Sequence, residues 1–123
     1  MTPSNQKQLA EKAAEFLGLE KANNPINGNY YVMPLHMLQA GRLEDLADHF
    51  FEETTSAPIL MHLALKEMEK RGIRLCMMQG FKDNRWHCQY TDTPEGVANT
   101  HDEMSIHENY FIAFWTALLE ATR

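Results

Sequence analysis

A chain of 123 residues is one domain's worth, and 44% hydrophobic with 23% charged residues is ordinary globular composition. Eleven Lys+Arg against 17 Asp+Glu give a net charge of −6, which repels phosphate backbones and argues against generic nucleic-acid binding. Two cysteines, Cys76 and Cys88, are too few for a secreted disulfide framework and form no CxxC pair.

The opening MTPSNQKQLAEKAAEF lacks the apolar run of a signal peptide, and no stretch approaches the ~20 apolar residues of a membrane span. The expectation is therefore a cytoplasmic protein in a single domain, residues 1–123.

The first periodic segment spans about Asn5–Leu19, with Leu9, Ala13, Phe16 and Leu17 on one helical face and Gly18 as its end signal. ANNPINGN, residues 22–29, predicts a turn-rich loop, followed by a short strand at Tyr30, Tyr31 and Val32. Pro34 opens a helical turn through Leu38, stopped by Gly41. A second helix is expected over Leu43–Glu53, because Leu43, Leu46, Ala47 and Phe50 fall at core-facing spacing. Thr54, Thr55 and Ser56 offer capping oxygens for a third helix that begins near Pro58. Its expected apolar face is Met61, Ala64, Leu65 and Met68, and Gly72 ends it.

Ile73–Gln79 and Arg85–Thr91 read as the strands of a hairpin. Ile73, Leu75 and Met77 line one face of the first strand; Trp86, Cys88 and Tyr90 line one face of the second. The two sets share a sheet face only if odd positions oppose even ones. Gln79 opposite Trp86 does this, which argues against a Cys76–Cys88 disulfide. Thr100 and Glu103 are spaced as a capping box, so a last helix is expected from about His101. The whole is an α+β fold: a small antiparallel hairpin or sheet packed against about four helices.

The chemistry-bearing residues do not cluster by spacing. His36, His49, His62, His87, His101 and His107 lack the HxxxH or HExxH patterns of metal sites. His87 and Cys88 are strand neighbours that point to opposite faces, although Cys76 and His87 can share one. No GxGxxG or P-loop is present. No catalytic residue, cofactor or metal site is therefore assigned.

Two interaction candidates remain. Glu44, Asp45 and Asp48 form an acidic helical cluster, continued by Glu52 and Glu53. Tyr110, Phe111, Phe114, Trp115, Leu118 and Leu119 form an aromatic stripe, broader than a two-stranded hairpin covers, which predicts self-association as a homodimer.

APILMHLALKEMEKRG, RWHCQY and YFIAFWTALLEA follow one another as helix, strand and helix, with Gly72, Trp86, Cys88, Tyr90 and Ala117-Leu118-Leu119 as marks. This second half resembles small phage and prophage proteins with an ABA-sandwich domain. The lead TTSAP lacks the Asp expected there, and the N-terminal half is unmatched. The resemblance implies a phage or mobile-element accessory protein in the host cytosol, non-enzymatic and acting on a protein partner such as a host defence component. A small-molecule or nucleotide binder is the alternative, and a metal- or thiol-dependent hydrolase the third.

Overall fold

The computed structural model describes residues 2–26, 28–32, 41–42, 46–52, 56–80, 84–91 and 105–122. The fold is α+β. It divides into two compact units, Met1–Pro58 and Ile59–Arg123.

In the first unit, α1 (Pro3–Phe16) starts where Thr2 accepts the Asn5 N–H on its hydroxyl and proline takes the first helical position. It ends at Gly18, whose φ of 69° is open to a residue without Cβ. The Gly18 and Leu19 N–H groups there close onto the Glu15 and Ala14 carbonyls, a Schellman arrangement. Ala10, Ala13 and Ala14 are the buried face, while Leu9, Phe16 and Leu17 are half-buried.

The segment expected as a turn-rich loop is a tight hairpin, β1 (Lys21–Asn24) and β2 (Gly28–Tyr31), with Lys21 opposite Tyr31. Its Asn, Pro and Gly residues crowd the turn between two strands too short to show alternation. β3 (Gly41–Arg42) pairs with β2 and completes a three-stranded antiparallel sheet. The helical turn expected at Pro34–Leu38 lies outside the described residues.

α2 (Leu46–Phe51) buries Leu46, Phe50 and Phe51 and packs against α1. Leu43, Glu44 and Asp45 lie outside the described residues.

The second unit holds most of α3 (Ala57–Arg71), then β4 (Arg74–Gln79), β5 (Trp86–Thr91), β6 (Ser105–His107) and α4 (Tyr110–Ala121). α3 buries Ala57, Leu60, Ala64 and Met68, whereas Leu65 is exposed. Of the expected face, Ala64 and Met68 are buried and Met61 is half-buried, but Leu60 is buried in place of Leu65. The helix is apolar on several sides, with Ile59, Leu60, Met61, Leu63 and Leu65 in one run, so spacing alone does not select the stripe. Gly72, at φ 70°, ends it with the same Schellman pair of bonds, Gly72 N–H to Glu69 and Ile73 N–H to Met68.

β4 and β5 pair in the expected register, Gln79 opposite Trp86 and Met77 opposite Cys88. Both cysteines are free. Trp86, Leu75 and Met77 pack around a buried cluster of Cys88, Ala113 and Ala117, so α4 lies on this face of the sheet. The small alanines let the helix backbone approach the strands closely.

The last helix does not run from His101. Residues 101–104 lie outside the described ones, and 105–107 form β6, paired with β5 so that His107 faces Trp86. α4 starts instead at Asn109, whose Oδ1 accepts the N–H groups of Phe111 (2.8 Å) and Ile112 (3.1 Å).

Candidate functional site

With α4 on one face of the β4-β5-β6 sheet, the opposite face carries the other half of each strand's side chains. Met78, His87 and Ile106 stand directly across from one another on the three strands. Met78 is 52% exposed and Ile106 43%, with His87 half-buried between them. Arg74 and Cys76 continue this face along β4 and are exposed. The result is an open, mildly apolar surface on a regular sheet.

Cys76 and His87 share this face as expected, but Cys76 stands opposite Gln89 and His87 opposite Met78, so they are diagonal neighbours. Cys88 is the contrasting thiol. It is fully buried, and burial, with a smaller contribution from Cys76, pushes its pKa up to about 12. In the native protein iodoacetamide is therefore expected to modify Cys76 readily and Cys88 only after denaturation. Mass spectrometry of the labelled peptides checks this, and equal labelling of both thiols would contradict the buried placement.

In the first unit, Ser56 is buried just before α3. Its hydroxyl donates to the His49 carbonyl at 3.1 Å, and its oxygen lies 3.1 Å from His49 Nδ1. A serine has one proton, so Nδ1 must carry the other and donate. The pair ties the end of α2 to the start of α3. A hydroxyl whose proton is committed to a carbonyl is not set up as a nucleophile beside an imidazole base.

Asp48 is exposed on α2, while Glu44 and Asp45 lie outside the described residues. The α4 stripe is not free surface: Phe111 is 8% exposed, Phe114 1%, and Trp115 and Leu118 0%, with Tyr110 half-buried against Trp86. A helix apolar around most of its circumference belongs inside a fold.

Among the histidines, His36 and His101 are outside the described residues, and the other four are spread over α2, α3, β5 and β6. Among the described residues no group of three or more His, Cys, Asp or Glu is placed to hold a metal ion. No helix among them is long and apolar enough to cross a membrane. The chain matches no protein-family model, no curated protein and no solved structure.

The Met78–His87–Ile106 row is not legible from the sequence, because β6 has no signal of its own there. Met78 does carry one: it falls on the face of β4 opposite the core-directed Leu75 and Met77.

Proposed function

We propose that this is a non-enzymatic binding protein that engages a protein partner through the open face of the β4-β5-β6 sheet. The observation that carries the reading is the exposed Met78 and Ile106 flanking His87 across three paired strands. Exposed apolar side chains on a rigid element, rimmed by polar groups, are a usual form of an interaction patch. Here Arg74 and Arg85 supply exposed polar surroundings. The resemblance of the second half to phage accessory proteins supports a partner in the host cytosol, such as a defence component to be inhibited. The net charge of −6 suits a partner that carries basic groups beyond the contact itself.

The test is a pull-down from bacterial lysate with wild-type protein and Ile106→Glu as parallel baits, followed by mass spectrometry of retained proteins and small molecules. The expected result is a protein held by wild type and bound at least tenfold more weakly by Ile106→Glu, about 1.4 kcal/mol or more. A partner captured equally by both baits, or retention of a small molecule alone, would overturn the reading.

A further inference from the structure

The free edge of the same sheet carries a separate consequence, independent of the partner proposed above. β4 is an edge strand: it pairs with β5 on one side, and among the described residues no strand pairs with the other. Edge strands are usually protected by lysine, proline, a bulge or brevity. β4 has none of these. It is six residues long, its register with β5 runs unbroken from Arg74–Thr91 to Gln79–Trp86, and its single charge is Arg74 at one end.

The hydrogen bonding fixes which backbone groups face outward. The Gly80 N–H donates to the Arg85 carbonyl at 2.8 Å, one step beyond the Gln79–Trp86 pair. In an antiparallel ladder, bonded pairs alternate with non-bonded ones. Met78, Cys76 and Arg74 therefore bond inward to β5, and the N–H and C=O groups of Leu75, Met77 and Gln79 point to the open edge.

We infer that a second copy of this chain adds to that edge, β4 against β4 antiparallel about a two-fold axis through Cys76, joining two three-stranded sheets into one. In this register Leu75 of one copy forms a bonded pair with Met77 of the other, and the reverse, so outward donors meet outward acceptors. Both side chains already pack on the Cys88, Ala113 and Ala117 cluster, and the pairing continues that apolar layer across the seam. Of the other two-fold registers, the one centred on Met77 sets Leu75 against the polar Gln79, and the one centred on Leu75 pairs only residues 74–76 of each β4. The two Arg74 side chains fall at opposite ends, each across from a Met78, so the like charges of β4 do not face each other across the seam. Cys76 meets its own copy at a non-bonded position, where Cα atoms stand about 4.5 Å apart, within the range a disulfide spans. That proximity serves as a probe and is not part of the association itself.

The experiment is sedimentation velocity up to several hundred micromolar, on wild type and Cys76→Lys, with Cys76→Ser as a conservative control. Cys76 is exposed and directed away from α4, so the lysine faces solvent in a single copy. The expected result is wild type and Cys76→Ser at twice the 14.2 kDa chain mass, with Cys76→Lys at least tenfold weaker in association. Mild copper-phenanthroline oxidation should link wild-type chains through Cys76. Hydrogen exchange should slow the Leu75 and Met77 amides in the dimer and release them in Cys76→Lys, while the amides of position 76 and of Met78 stay protected by β5 in both proteins. A monomer at the highest concentration would overturn the inference, as would a dimer that forms no Cys76 link and is indifferent to Cys76→Lys. Ile106→Glu lies on the far strand and reads the partner interaction alone, so failure of one proposal is separable from failure of the other.

Discussion

Trp115→Ala is expected to destabilise the fold by about 3–5 kcal/mol, the range for truncating a large buried aromatic. Trp115 has no exposed surface, and its ring meets Phe114 edge-on at 5.4 Å between centroids. Its neighbours along the helix, Phe111, Phe114 and Leu118, are buried with it, so the surroundings have little freedom to close over the void. Against a typical net stability of about 5–15 kcal/mol, such a loss removes about a fifth of the total or more. Urea unfolding followed by far-UV circular dichroism measures it, with Leu65→Ala as the control. Leu65 is 44% exposed on α3, and its truncation should stay within about 0.5 kcal/mol of wild type. If Trp115→Ala unfolded at the wild-type midpoint and lost only an association, α4 would be an interface after all.

That contrast shows where the sequence is readable. The β4–β5 register follows from period-two alternation, because one residue of slip would send Trp86 and Cys88 to the wrong face. Burial of the α4 stripe is also implicit, since an apolar helix face wider than a hairpin signals enclosure as readily as an interface. β6 cannot be read: three residues show no period, and the strand exists through its pairing with the distant β5. The α3 face is ambiguous because apolar residues surround the helix. The open sheet face follows from β6, so its outer member, Ile106, is invisible for the same reason.

The turn between β6 and α4 should make the protein sensitive to mild acid. The Asn109 N–H donates to His107 Nδ1 at 2.8 Å, so the ring accepts there and carries its proton on Nε2. The same Asn109 caps α4 with its side chain, and the cap alone is worth about 1–2 kcal/mol, the expected cost of Asn109→Ala. Protonating Nδ1 turns the acceptor into a donor facing a donor. Burial holds the His107 pKa below its ordinary 6.5, against the opposing pull of the adjacent Glu108. On the same sheet face, Cys88 of β5 and Tyr110 of α4 both have raised pKa values, so they stay neutral throughout this range. A depressed pKa in the folded state means that the unfolded chain takes up the proton first. The stabilisation is complete above about pH 6.5 and is lost as pH falls through the folded-state value. The substitution that isolates the effect is His107→Asn. Its amide oxygen can accept the same i+2 N–H as an Asx turn, and it does not titrate. His107→Asn should match wild type near pH 8 and lose less stability between pH 7 and pH 5, the remaining slope belonging to the other five histidines and the carboxylates. Urea titrations at each pH give the difference directly. Parallel pH profiles for the two proteins would show that His107 does not hold this turn.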